Sequence, residues 1–72
     1  MEEKLLTIMS EVLEVPRSAV SLESSMGNLE GWDSLKHMNL IFVLEESFSV
    51  TFTDDEVVNS KDVKSLLRIV GK

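Results

Sequence analysis

The chain has 72 residues, no cysteine, and 13 acidic against 7 basic side chains, which gives a formal net charge of −6. This length allows one domain with a small core and disfavours an enclosed catalytic cleft, so we expect a single domain over residues 1–72 that is not an enzyme. The negative charge maintains solubility, disfavours nucleic acid and anionic lipid as partners, and favours proteins with basic patches.

Two further features bear on the compartment. Residues 1–4 lack a basic segment followed by an apolar one, so no secretory signal is expected. The longest apolar run, residues 40–44, is too short to span a bilayer. Together with the absence of cysteine, these features predict a cytoplasmic protein that does not bind membranes, and we expect it to be a monomer.

A first helix is predicted from apolar residues that recur at three- and four-residue intervals over residues 5–13. Glu2 and Glu3 lie in its first turn, where the helix dipole favours negative charge. Pro16 disfavours helical geometry at Val15, so the helix is predicted to end there.

Residues 16–33 show no helical period and are rich in Ser, Gly, Asn and Glu. A loop of this length in a small domain is usually functional or pinned to the core. Trp32 is predicted to cover the loop and anchor it to the following helix, with a recognition role for its ring as the alternative.

A second helix is predicted from Asp33, a preferred N-cap residue, to about Phe48. It has two apolar faces, so it either lies at the centre of the fold or keeps one face for a partner. One face carries Leu40, Ile41, Leu44 and Phe48. The other carries Leu35, Met38 and Phe42, which are either core or, if exposed, a partner surface or the mouth of a cavity for an apolar chain.

Two more helices follow. Thr53 and Glu56 have the spacing of a capping box and predict a helix of one or two turns. Ser60 is predicted to cap a last helix, which Gly71 closes. The chain is therefore predicted to be all-α, a small four-helix bundle of three longer helices and one short helix, with a long loop between helices one and two.

The start of helix two carries the candidate chemistry at Ser34. On local sequence alone, an ordinary first-turn serine after an Asp33 N-cap is the more common interpretation. The functional alternative is an attachment point, because a phosphodiester on Ser34 would lie beside the unpaired N–H groups of the first turn. Mg²⁺ could then bridge phosphate and the Asp33 carboxylate during transfer.

His37 lies one turn after Ser34, which raises the possibility of a Ser-His-Asp triad with Asp33. Such a triad also requires an oriented base, an oxyanion hole and a substrate cleft, and nothing in the chain indicates a cleft. We predict instead a histidine at the helix surface or boundary, and no catalytic residue.

An acidic group is expected around the end of helix two and the short helix. It comprises Glu45, Glu46, Asp54, Asp55 and Glu56. The spacing of an EF-hand is absent, so no metal site is predicted. The group is either a solvated face or a docking surface for basic partners, and its position beside the Ser34 helix favours docking.

The sequence carries two motifs around helix two, the run Gly-Trp-Asp-Ser-Leu within residues 31–40 and the helix end Glu-Glu-x-Phe within residues 44–48. In these segments the chain resembles an acyl carrier protein of the phosphopantetheine-dependent family. The resemblance covers nearly the whole chain, including the opening helix, the long loop and the last two helices. Asp-Ser-Leu alone is a weak signal, but it is specific at the start of helix two in an acidic chain of this length.

The resemblance implies that Ser34 receives a 4′-phosphopantetheine arm from coenzyme A through a phosphopantetheinyl transferase, which Asp33 helps to recruit with its Mg²⁺. The arm then carries an acyl or aminoacyl group as a thioester to loading and processing enzymes with basic docking patches, and the bundle interior shelters an acyl chain. The implied partner face comprises Leu35, Met38, Phe42, Glu45, Glu46, Asp54, Asp55 and Glu56.

Some positions depart from the carrier of fatty-acid synthesis. Lys36, His37 and Asn39 make the start of helix two less acidic, and Trp32 precedes the Asp-Ser-Leu motif. These features resemble free-standing carriers of specialised or cell-envelope pathways in lipid or polyketide biosynthesis. The alternatives are an unmodified helical adaptor that binds basic partners and, last, a small Ser/His hydrolase.

Overall fold

A computed structural model describes residues 2–71, and within them the predicted four-helix bundle is confirmed. The helices are α1 (Glu2–Leu13), α2 (Ser34–Phe48), α3 (Asp54–Asn59) and α4 (Val63–Val70). A short 3₁₀ helix at Arg17–Ala19, which the sequence analysis did not predict, lies in the long loop. No helix in this part of the chain is both long enough and apolar enough to cross a membrane.

A single apolar core joins three helices and the loops. The buried residues come from the predicted stripe of α1 and from one face each of α2 and α4. Two loop residues and Phe52, two positions before α3, complete the core. Its buried members are Leu5, Leu6, Met9, Leu13, Val20, Trp32, Leu40, Ile41, Leu44, Phe52, Val63, Leu66 and Val70. Each longer helix thus contributes one apolar face to the core, as the periodicity predicts.

The predicted end of α1 at Val15 is wrong by two residues. The helix ends at Leu13 because Glu14 adopts a left-handed conformation with φ of 58°. The N–H of Val15 then donates to the carbonyl of Ser10 at 3.0 Å, which satisfies a carbonyl in the last turn. Pro16 still prevents further helix, but the turn at Glu14 ends it first.

The long loop is pinned to the bundle, which is one of the two alternatives expected for a loop of this length. Val20 and Trp32 are buried in the core. Backbone bonds also join the loop to the start of α4, since Met26 N–H donates to the Lys61 carbonyl at 2.8 Å and Val63 N–H donates to the Ser24 carbonyl at 3.0 Å. The backbone that leads to α2 is therefore held by the helices.

The later caps are partly as predicted. Thr53 and Glu56 form the predicted capping box of α3. Ser60 does not cap α4, because its hydroxyl donates back to the carbonyl of Glu56 and completes the end of α3. Asp62 caps α4 instead, accepting from the N–H of Ser65 at 3.3 Å and from its hydroxyl at 2.7 Å.

Candidate functional site

Ser34 is the first residue of α2, and its side chain is exposed. The preceding Asp33 is the predicted N-cap, and its Oδ1 accepts from the N–H of Lys36 at 2.8 Å. No hydrogen bond engages the Ser34 hydroxyl within residues 2–71. The site is therefore a free hydroxyl on a fixed helix end, beside backbone N–H groups that favour an anion.

The loop before Ser34 is held in one conformation. Gly31 has φ of +93°, and a Cβ there would lie 3.3 Å from the carbonyl oxygen of Leu13. Trp32 is 3% exposed, which confirms the prediction that it anchors the loop to α2. Its indole N–H donates to Nδ1 of His37 at 3.0 Å. The approach to Ser34 is thus fixed from both α1 and α2.

The prediction of a surface or boundary position for His37 is wrong, because this residue is 4% exposed. Its Nδ1 accepts from Trp32, and its Nε2 lies 2.9 Å from the carbonyl oxygen of Val57 in α3. Neither ring nitrogen retains a lone pair that could accept the Ser34 proton, so His37 does not act as a general base for Ser34. The signal was in the sequence, since position 37 precedes Ile41 by four residues and Leu44 by seven, on the buried face.

The second apolar face of α2 is exposed. Leu35 is 73%, Met38 is 55% and Phe42 is 71% exposed. Val58 on α3 is also 59% exposed, although the sequence analysis did not include it in the partner face. The alternative that this face is part of the core is excluded, because its three large apolar side chains are exposed to solvent on the helix that carries Ser34.

A groove of about 200 Å³ lies between α2 and α3 and opens beside this exposed face. We call it the α2–α3 groove, and it is lined by Met38, Ile41, Phe42, Glu45 and Val57. A larger cavity of about 430 Å³ lies between α3 and α4, but none of its lining residues belongs to α2. The helix of Ser34 thus forms most of the lining of the α2–α3 groove.

The acidic residues divide into two kinds. Glu45 accepts from the N–H of Phe52 at 2.8 Å, and Glu56 accepts from the N–H of Thr53 at 2.9 Å, so both carboxylates hold backbone in place. Three others, Glu46, Asp54 and Asp55, are exposed. Only the exposed three present their charge mainly to the surroundings.

Lys36, the basic residue closest in sequence to Ser34, is paired within the protein. Its Nζ forms an ion pair with Glu14 at the end of α1. The hydrogen bond from Lys36 and its positive charge lower the pKa of Glu14 below the usual value for a glutamate. The surface at Ser34 is thus less basic than the sequence suggests.

Among residues 2–71, no group of three or more acidic, histidine or cysteine side chains converges as a metal site.

Comparison with known proteins identifies the family of this chain. Residues 3–70 match the family described as "Phosphopantetheine attachment site". The chain belongs to this family. It is 40% identical over 70 residues to an acyl carrier protein of Guillardia theta, and the aligned region covers 97% of this chain and 86% of that relative. It is also 37% identical over 68 residues to an acyl carrier protein of Campylobacter concisus, and here the aligned region covers 90% of this chain and 88% of that relative.

Membership confirms the predicted resemblance and function. The protein is a carrier and not an enzyme, and it holds acyl groups as thioesters on a covalently attached 4′-phosphopantetheine arm. Members of this family interact with a phosphopantetheinyl transferase and with acyl-processing enzymes. The exposed hydroxyl at a helix N-terminus is compatible with such an arm, because a phosphodiester there lies beside unpaired N–H groups.

Proposed function

We propose that Ser34 is the residue that bears the arm. The observation that carries this proposal is the position of its exposed hydroxyl, which stands free on the first turn of a 15-residue helix that Asp33 caps. The first-turn N–H groups and the helix dipole stabilise the negative charge of a phosphodiester at this point. The hydroxyl is also far enough out of the core for a separate enzyme to reach it.

The attachment step follows from the chemistry of coenzyme A. Oγ of Ser34 forms a bond to the phosphorus that carries the pantetheine, and the bond from that phosphorus to the bridging oxygen of the diphosphate breaks. Adenosine 3′,5′-bisphosphate leaves, and the serine proton passes to a base of the transferase. Asp33 Oδ1 is used by the helix cap, so Oδ2 is the oxygen available to a transferase-bound Mg²⁺.

The arm supplies the terminal thiol on which the acyl group is held. The residues of this chain contribute a rigid base for a flexible tether. Tethering raises the effective concentration of the acyl group at successive partner active sites, without any catalytic group on the carrier.

We infer that partners dock on the outer face of α2 and the start of α3. Exposed Leu35, Met38 and Phe42 would form the apolar centre of the contact. The exposed carboxylates of Glu46 and Asp54 would lie at its rim and attract basic patches. The α2–α3 groove, which opens on this face, is the proposed shelter for the acyl chain.

The chain is proposed to act as a single-domain, monomeric, cytoplasmic carrier over residues 1–72. One core that includes residues of α1, α2 and α4 supports a single folding unit. The proposal of a free-standing carrier of a specialised pathway, rather than of primary fatty-acid synthesis, rests on the sequence departures at Trp32, Lys36 and Asn39.

Intact mass tests the attachment directly. The purified protein is incubated with coenzyme A, Mg²⁺ and a broad-specificity phosphopantetheinyl transferase. We expect the gain of one phosphopantetheine, lost in Ser34→Ala but retained in Ser18→Ala, a matched change at an exposed serine in the 3₁₀ helix. A folded protein that gains no mass, or a gain that survives in Ser34→Ala, would refute the assignment, and the first result favours the unmodified adaptor.

A further inference from the structure

The short helix α3 is the least embedded helix of the bundle. None of its six residues is buried, whereas α1, α2 and α4 each contribute several buried residues. Buried Phe52 precedes α3 and buried Ser60 follows it, so the chain is fixed at both ends of the helix. With little apolar burial within α3, its position over the core depends strongly on individual polar contacts.

A hydrogen bond joins the middle of α3 to α2. Nε2 of His37 lies 2.9 Å from the carbonyl oxygen of Val57. Val57 lines the α2–α3 groove from one side, and Met38, the residue after His37, lines it from the other. The bond therefore links the two helices whose separation determines the width of the groove.

The direction of this bond is decided by Trp32. An indole N–H can only donate, and it lies 3.0 Å from Nδ1 of His37. Nδ1 must therefore present its lone pair, which places the proton of the neutral imidazole on Nε2. That proton is directed at the carbonyl of Val57, so the indole selects the tautomer that can bind α3.

We propose that His37, held in its Nε2–H tautomer by Trp32, is a positioning residue that fastens α3 to α2 and sets how readily the α2–α3 groove opens. We call these three groups the Trp32–His37–Val57 clasp. The clasp connects the groove with Trp32, which lies in the long loop two residues before Ser34. Its link to cargo rests on the proposed function, whereas the clasp itself is a property of the unloaded chain.

Amide hydrogen exchange of the unloaded protein tests the clasp. Trp32→Phe keeps an aromatic ring in the core but removes the donor that fixes the tautomer. We expect the amides of Val57, Val58 and Asn59 to exchange about two- to tenfold faster, the equivalent of one net hydrogen bond. The ratio of these rates to that of Met9 in α1 separates local opening of α3 from loss of global stability.

Two substitutions of His37 provide a matched pair. Asn places an acceptor near the position of Nδ1 and keeps the bond to Trp32, whereas Gln places a donor near the position of Nε2 and keeps the bond to Val57. We expect faster α3 exchange in His37→Asn than in His37→Gln. Equal α3 exchange in the two variants, or unchanged exchange in Trp32→Phe, would overturn the proposal.

The imidazole ¹⁵N shifts of the unmodified chain test the same point without any substitution. At neutral pH the proposal requires protonated Nε2 and unprotonated Nδ1 in His37. A proton on Nδ1 would overturn the proposal even if every variant failed to fold.

The link to cargo is tested with acyl groups of two lengths. The protein is loaded from octanoyl- or acetyl-coenzyme A, and cleavage of each thioester by hydroxylamine is followed. The groove should open more easily in His37→Asn than in His37→Gln, so the octanoyl chain should enter its proposed shelter more often. We therefore expect cleavage of the octanoyl thioester to be up to about tenfold slower in His37→Asn, with cleavage of the acetyl thioester unaffected. Equal octanoyl rates in the two variants would refute the link to cargo. Failure to load at all would refute the attachment proposal and leave the exchange and tautomer results intact.

Discussion

The carboxylate of Glu45 accepts a hydrogen bond from the backbone N–H of Phe52 at 2.8 Å. This contact ties the last turn of α2 to the segment that leads into α3. Its neighbour Glu46 is exposed. Two adjacent glutamates that look equivalent in the sequence therefore have different roles, one in the fold and the other on the surface.

We expect Glu45→Ala to lower the free energy of unfolding by about 1 to 2 kcal/mol, because it leaves the Phe52 N–H without its charged acceptor. Glu46→Ala should change the free energy of unfolding by less than about 0.5 kcal/mol, as is usual at exposed positions. Urea denaturation of both variants measures the difference. Equal stabilities would contradict the role assigned to Glu45.

For docking, we expect Glu46 to matter more than Glu45. Glu46→Lys should weaken binding to the phosphopantetheinyl transferase, and the loss should shrink as salt is added, because the charge lies at the solvated rim. Surface plasmon resonance at low and high salt measures this effect. An affinity that stays at the wild-type value in low salt would remove Glu46 from the docking surface.

Asp33 combines a structural and a proposed functional role that two substitutions separate. Asp33→Ala removes the acceptor for the Lys36 N–H and should cost about 1 kcal/mol of stability. Asp33→Ser retains a capping oxygen but no carboxylate, so its unfolding should resemble that of the wild type. Both variants should be poor transferase substrates. Normal modification of Asp33→Ser would show that the carboxylate acts only as a helix cap.

Gly31 is expected to tolerate no side chain, in contrast to Gly27. Alanine at Gly31 would have to adopt φ of +93° and place its Cβ 3.3 Å from the Leu13 carbonyl oxygen, so we expect a loss of about 1 to 2 kcal/mol. At Gly27 the nearest atom to an added Cβ is 3.8 Å away, and Gly27→Ala should be close to neutral. Thermal unfolding compares the two variants. A stable Gly31→Ala protein would show that the loop before Ser34 can rearrange.

The ion pair between Lys36 and Glu14 predicts a pH dependence of stability. The hydrogen bond and charge of Lys36 lower the folded-state pKa of Glu14 below its ordinary value of 4.5. The pair therefore stabilises the fold fully above about pH 4.5, and this contribution is lost as the pH falls through the lowered folded-state pKa. The effect should be small and reduced by salt, because Glu14 is exposed.

Urea denaturation of the wild type and of Glu14→Gln over this pH range tests the sign. The difference in stability between them should be largest near neutral pH and should shrink towards acid pH. A difference that grows as the pH falls would contradict the lowered pKa.

Local capping chemistry explains why much of the site could be predicted. Asp33 caps α2, and Thr53 and Glu56 cap α3, through bonds between residues three apart in the chain. Such bonds depend on short-range sequence, so their pattern is visible without the fold. Ser60 misled the prediction because two capping residues, Ser60 and Asp62, stand close together, and contacts with the long loop place the start of α4 after the second.

Other features depend on contacts between distant parts of the chain. The burial of His37 is favourable because both ring nitrogens have partners, and one of these, the carbonyl of Val57, lies 20 residues further along the chain. Similarly, nothing local distinguishes Glu45 from Glu46, because the partner of Glu45 is a backbone N–H beyond the end of the helix.

The sequence by itself determined the helices, their main caps and the position of Ser34 at the start of α2, because periodicity and capping are local. Only the tertiary structure decided which apolar face of α2 is covered. Both faces are apolar, but the core takes Leu40 and Leu44 and leaves Leu35 and Phe42 in solvent. The physical reason is that one small core has room for a single face of α2, so the other remains exposed on the helix that carries Ser34.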